Sequence, residues 1–262
     1  MTINMHAHMG DVDVDERVEH YRHPEITHTV MFSNDDKVAE GMRKYPDFVI
    51  GFGQMRYPDA PSPDKIREFV DRGFKGVKII GMRRPIDDPS MFPMYEAMVE
   101  YGLPAFFHMG FLSIDPGRGP DGAYQSMLFM RPGRLDTLGR VFPELVMIAA
   151  HLGAPWYEEA CSALSKHPNV YFDMSGGTVK HRPLSHFRGL FTRGAGGGFL
   201  RDEGEELDLE KLGKLVFGTD NPAPPTMLEF YHNFCDKLGV DPETRRKIMT
   251  GNAAAILGLE GV

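Results

Sequence analysis

Two histidines in the first ten residues, His6 and His8, are separated by one alanine, and three more side chains of metal-binding type stand far downstream at His108, His151 and Asp220. Residues i and i+2 of a β-strand point to the same side, so a strand carrying His6 and His8 presents both imidazoles to one spot. Neutral imidazoles with a carboxylate form a nitrogen and oxygen donor set that suits Zn²⁺, with Mn²⁺ or Fe²⁺ as alternatives. The expected ligands of one divalent metal ion are therefore His6, His8, His108 and Asp220. A catalytic zinc site with an open position lowers the pKa of water to about 7. Asp220, at such a site, can take a proton from water and return it to a leaving group. His151 is more useful unligated, as a hydrogen-bond partner of that water or of a substrate oxygen.

Each of these residues closes a short apolar run. His108 ends Pro104-Ala-Phe-Phe-His108, His151 ends Leu145-Val-Met-Ile-Ala-Ala-His151, and Asp220 follows Leu215-Val-Phe-Gly-Thr219. Strand patterns occur at 2–8, 27–32, 48–54, 76–80, 104–108, 145–151, 169–174 and 215–219. Helical patterns fall near 35–45, 62–72, 90–101, 132–142, 156–166, 205–213, 226–238 and 242–258. Ser62 with Pro63 behind it has the form of a helix start, and Gly73 that of a stop. The motifs Tyr45-Pro46-Asp47-Phe48, Phe142-Pro143-Glu144-Leu145 and His167-Pro168-Asn169-Val170 repeat one helix-to-strand loop, since proline ends a helix and favours extended backbone before it. Strands alternating with helices predict a parallel α/β sheet, and eight of each predict a (β/α)8 TIM barrel, with a doubly wound open sheet as the competing arrangement. The expected metal residues then end strands one, five, six and eight, on the face where barrel active sites are built. Long connections at 111–131, with Arg118, and at 175–204 leave the same face and are candidate lids.

At 262 residues the whole chain, 1–262, is expected to form one barrel domain. A formal net charge of −8 argues against a general nucleic-acid or anionic-membrane binder, although a local cationic pocket around Arg182, Arg188, Arg193 and Arg201 is compatible with it. No apolar run reaches the 18 or so residues a membrane span requires. Cys161 and Cys235 stand alone without a Cys-x-x-Cys spacing, and no leader-type segment precedes His6, so a cytoplasmic protein is expected. The partner expected is a small-molecule substrate, and a homodimer or larger homo-oligomer is left open.

Other residues carry weaker readings. Arg56 and Arg83 follow strands three and four and could clamp a carboxylate, but a surface arginine is the commoner fate. His181, Arg182 and His186 lie on the long loop after strand seven, where a solvated lid competes with a substrate role. Trp156 could wall the pocket or simply pack at a helix start. His28 and His167 fall at the opposite, stability face of a barrel, and His20, His23 and His232 on helices or surface.

The motifs Met5-His6-Ala7-His8-Met9-Gly10, Gly76-Val77-Lys78-Ile79, Phe107-His108-Met109-Gly110, Ala150-His151-Leu152-Gly153, Phe217-Gly218-Thr219-Asp220 and Gly251-Asn252-Ala253-Ala254 span nearly the whole chain. Together they resemble the amidohydrolase superfamily, in its amidohydrolase 2 branch, which includes aminocarboxymuconate-semialdehyde decarboxylase and related lactone hydrolases. The resemblance implies a (β/α)8 barrel with one divalent metal on His6, His8, His108 and Asp220, and His151 as catalytic partner. Several aromatic-acid decarboxylases of the branch carry glutamate where this chain has His6, which tilts the expectation toward a metal-dependent hydrolase of a lactone, amide or ester. A non-oxidative decarboxylase of a small unsaturated or aromatic acid is the alternative. Lys78 occupies the strand where binuclear relatives carry a carboxylated lysine. Were it so modified, His108 and His151 would hold a second ion; a single ion is the expectation. A barrel that only binds ligand and a metal-dependent nuclease are further readings, disfavoured by the complete ligand set and the net charge respectively.

Overall fold

A computed structural model describes residues 1–56, 59–112, 126–193 and 206–261. The strands are β1 (Thr2–His8), β2 (Ile26–Phe32), β3 (Val49–Gly51), β4 (Gly53–Arg56), β5 (Val77–Ile80), β6 (Ala105–Phe107), β7 (Met147–Ala149), β8 (Val170–Asp173), β9 (Thr192–Arg193), β10 (Glu206–Leu207) and β11 (Leu215–Val216). One sheet runs β1-β2-β3 and another β11-β8-β7-β6-β5-β4, with parallel pairing throughout both. The two join at both ends. Only Phe52 separates β3 from β4, so the predicted third strand is one bent stave that pairs with β2 before the bend and with β5 after it. Ala7 bridges Asp220 in parallel, and Met5 N–H donates to the Phe217 carbonyl at 2.9 Å, which closes β11 onto β1. The result is the closed (β/α)8 barrel expected from the alternation; β9 and β10 form a separate antiparallel pair.

Period-two alternation sorts the core into layers. Phe106 packs with Phe32, Phe52, Ile148 and Val216, while its neighbours Ala105 and Phe107 pack on the other face with Val77, Ile79, Met147 and Phe172. Glycines at the bend let helices close in: a Cβ on Gly51 would strike Met42, and one on Gly53 would strike the Phe69 ring. The helix Pro63–Asp71 begins as its sequence indicates, with Ser62 accepting from Asp64 N–H, and buries Ile66 and Phe69. Among the described residues no helix is long and apolar enough to cross a membrane.

Several elements differ from the sequence reading. A helix at Val14–Tyr21 follows β1, capped by Asp13 and burying Val14, Val18 and Tyr21; the sequence reading has no element there. The predicted helix 242–258 is three pieces, Pro242–Arg246, a π-helical turn Lys247–Gly251, and Asn252–Leu257. The connection 175–204 contains two helices, Gly177–Lys180 and Leu184–Phe191, and 111–131 contains the 3₁₀ turn Met127–Met130. Arg118 and Arg201 lie outside the described residues. At 205–213 the described helix is only Leu209–Leu212.

Candidate metal centre and active site

The carboxyl end of β1 and the turn after β11 are stitched together before any metal-binding atom is considered. Asn4 donates to Thr219 Oγ1 at 2.9 Å and accepts from Thr219 N–H at 3.0 Å. Thr219 Oγ1 and Asp220 N–H both donate to the His6 carbonyl, at 3.0 and 2.8 Å. Tyr21 fixes the other side: its hydroxyl donates to the Asp220 carbonyl at 2.8 Å and accepts from His8 N–H at 3.3 Å. The helix missed in the sequence thus clamps the turn that carries Asp220. Asp220 sits at φ +64, and Ser33, Asn34, His151 and Leu152 are also in the left-handed region. Such conformations are uncommon for residues with a Cβ, and they fall here at strand ends around one site.

Three of the expected ligands converge. Asp220 Oδ1 lies 3.0 Å from His8 Nε2 and 3.5 Å from His6 Nε2, and the donor atoms of the three residues lie within 4.8 Å of one another. The fit to a cation rests on an orphan: His6 Nε2 is buried and has no hydrogen-bond partner. A buried polar atom without a partner is costly, and a cation between the two imidazoles and the carboxylate would satisfy it. Asp173 Oδ2 accepts from His6 Nδ1 at 2.6 Å, which leaves Nε2 as the lone-pair nitrogen. His108 reaches the same cavity but not the cluster, because its Nε2 donates to the Phe111 carbonyl at 2.9 Å.

His151 is held beside the cluster rather than in it. Its ring lies 5.3 Å from that of His6 and 4.9 Å from that of His108. Asp173 Oδ1 accepts from His151 N–H at 3.0 Å, from Ser175 N–H at 2.8 Å and from Ser175 Oγ at 2.6 Å. With its proton given to Asp173, Ser175 Oγ accepts from His151 Nδ1 at 3.0 Å, so His151 Nε2 is the nitrogen free to take a proton. Gly176, at φ +92, lets the chain pass over this ring; a Cβ there would lie 2.8 Å from His151 Nδ1. Asp173 also groups with His6 and His151 as an arrangement able to hold a cation, though both its oxygens are already committed. Sequence reasoning passed over Asp173. It ends the run Val170-Tyr-Phe-Asp173, so the same strand-end rule could have found it.

Burial sets the protonation of the site. His6 is fully buried, and desolvation, then the nearby Lys78 charge, lowers its pKa to about 3. Desolvation, followed by the His151 charge, takes His108 well below the usual imidazole range. Desolvation alone would raise Asp220, but the close contact with His8 and the other neighbouring imidazoles outweigh it and hold the carboxyl well below its ordinary value. Lys78 is fully buried with Nζ unpartnered, 3.9 Å from the Phe106 ring centre and 4.5 Å from that of Phe32. Desolvation brings it down to about 7 against the pull of Asp173 and Asp220.

A cavity of about 610 Å³ opens over the cluster, with His8, His108, His151, Thr178, His181, Asp220 and Asn221 as its polar lining and Ile80, Met109, Phe111 and Leu112 among the apolar. His181 therefore faces the site. His186 packs edge-on to Tyr157 at 4.7 Å, and Arg182 stacks on the same ring at 5.3 Å. Trp156 lies under the Arg131 guanidinium at 5.2 Å, the packing alternative of its two readings. Neither it nor Arg56 nor Arg83 is among the described residues of the cavity wall.

The barrel has counterparts among known proteins. A 2,6-dihydroxybenzoate decarboxylase from Rhizobium superposes with a TM-score of 0.66 at 14% identity, over 99% of each chain. A probable 2-pyrone-4,6-dicarboxylic acid hydrolase from Acinetobacter baumannii gives 0.61 at 15% identity, over 98% of this chain and 99% of that one. A dihydroxybenzoic acid decarboxylase from Polaromonas, solved with bound manganese and an inhibitor, gives 0.65 at 14% identity, over 100% and 98%. Likeness at these identities establishes the fold alone. The amidohydrolase family model, however, matches residues 3–259, so the chain belongs to the amidohydrolase family, in its amidohydrolase 2 branch.

Proposed function

We propose that the protein is a metal-dependent hydrolase of a small carbonyl substrate such as a lactone, amide or ester. The observation that carries this reading is the convergence of His6 Nε2, His8 Nε2 and Asp220 Oδ1 beneath an open cavity, beside an unligated His151. His6, His8 and Asp220 would hold the ion, zinc by the donor set, with His108 as the fourth ligand once its ring leaves the Phe111 carbonyl. When bound, the ion supplies a Lewis acid for the carbonyl and makes water more acidic.

The chain's own groups do the rest. The Asp220 carboxylate, kept ionised by its imidazole neighbours, accepts the proton of the attacking water and delivers it to the leaving oxygen or nitrogen. His151 lines the cavity and, with Nδ1 anchored through Ser175 to Asp173, would use Nε2 to hydrogen-bond the water or the substrate. Ile80, Met109, Phe111 and Leu112 give the substrate body an apolar wall.

A second reading is a non-oxidative decarboxylase using the same cage, favoured by the fold likeness to two dihydroxybenzoate decarboxylases. The retention of His6 tilts toward hydrolysis. Zinc-loaded protein incubated with a panel of lactones, esters, amides and unsaturated or aromatic acids separates the two by product mass. Gain of one water supports the hydrolase, whereas carbon dioxide release with no hydrolysed product would replace it with the decarboxylase.

A further inference from the structure

An imidazole binds a cation through the nitrogen that carries no proton, so His8 serves as a ligand only when its proton is on Nδ1. That nitrogen stands 2.8 Å from Ser33 Oγ, and Ser33 Oγ donates to Gln54 Oε1 at 3.0 Å. A hydroxyl has one proton to give. With it committed to Gln54, the Ser33 oxygen can only accept, and the proton of the His8 contact belongs to Nδ1. Gln54 is anchored in turn, its backbone N–H donating to Asp35 Oδ1 at 3.0 Å. Ser33 adopts φ +71 at the end of β2, an unfavourable conformation for serine that is held by the elements around it.

We propose that Ser33 is a positioning residue which, with Gln54 as its proton acceptor, fixes His8 in the Nδ1–H form and thereby sets the affinity of the site for its divalent cation. The inference rests on His8 being a ligand, as read above. It differs from the anchoring of His6: there a carboxylate touches the imidazole directly, whereas the Ser33 relay orients His8 with neutral groups and adds no charge.

Zinc affinity, measured by competition with a chromophoric chelator, tests it in the wild type, Ser33→Gly, Gln54→Met and the double variant. Glycine suits the positive φ at position 33, so the first variant removes the hydroxyl without straining the fold. Each single change is expected to weaken zinc about 10–100-fold, the range for lost partners of metal-bound histidines. The double variant is expected to lose no more than the weaker-binding single one, because both break the same chain of hydrogen bonds. In the zinc-loaded wild type the His8 Nδ1–H resonance should be slow to exchange, and fast in Ser33→Gly. Single variants that bind zinc like the wild type, or losses that multiply in the double variant, overturn the relay. Failure of the wild type itself to bind zinc would instead remove the ligand role of His8.

Discussion

Asp173 is the residue on which most of the site leans. One oxygen orients His6, and the other gathers the His151 backbone, the Ser175 backbone and the Ser175 hydroxyl. Replacing it by Asn keeps the shape but puts an amide where a carboxylate accepted on both sides. Zinc affinity in Asp173→Asn is expected to fall about 10–100-fold, read by the same chelator competition; an unchanged affinity would mean that His6 needs no anchor. His6, His8, His151 and Asp220 were legible in the sequence because a period of two and a strand-end position are local signals. Asp173 carried the same signal inside the predicted strand 169–174 but, one residue short of that strand's predicted end, was passed over. Ser33, Gln54 and Ser175 were not legible at all, since small polar residues at strand ends are commonplace and only the closed barrel brings Ser33 and Gln54 from adjacent staves to His8. The geometry at His108 also hides from sequence, because what holds its Nε2 is a backbone carbonyl three residues on.

At the scale of elements, the turn after β8 does most to shape the active face. Gly176 has φ 92 and ψ 153, a region essentially reserved for glycine, and the His151 ring fills the space a side chain would need. Gly176→Ala is expected to cost about 1–3 kcal/mol of stability from backbone strain alone, measured by urea unfolding, and to lower activity further by displacing His151. A variant as stable and active as the wild type would show that the turn has another way to pass. Strand order and number were readable because apolar runs alternate with amphipathic stretches, as with Ile66 and Phe69 on their helix. The bend at Phe52 was not, for it depends on Met42 from the preceding helix, Phe69 from the following one and Phe74 from the loop beyond it filling the space beside Gly51 and Gly53. The helix Val14–Tyr21 escaped notice because its three apolar residues are spread among charged ones, although it supplies Tyr21 to the Asp220 turn.

For the molecule as a whole, the packed layer between barrel and helices decides what solvent can reach. Cys161 and Cys235 both lie in that layer, and desolvation raises their thiols to about 12 and about 11. A thiol reacts as its thiolate, and an ordinary cysteine near pKa 8.5 is substantially ionised at pH 8. Neither cysteine is, because pH 8 lies far below both raised values. Native protein at pH 8 is therefore expected to leave both thiols unmodified by a disulfide reagent over a time in which denatured protein titrates two; rapid reaction of either in the native state would contradict the packing. The charge balance points the same way as the site: an acidic molecule whose chemistry is confined to a cavity of about 610 Å³ is suited to a small substrate.

The most direct test of the metal centre is elemental analysis of purified protein combined with an anomalous difference map. One divalent ion per chain, bonded to His6, His8 and Asp220, is the expected result. An absent ion, or one bound elsewhere with His6 Nε2 still unpartnered, would contradict it.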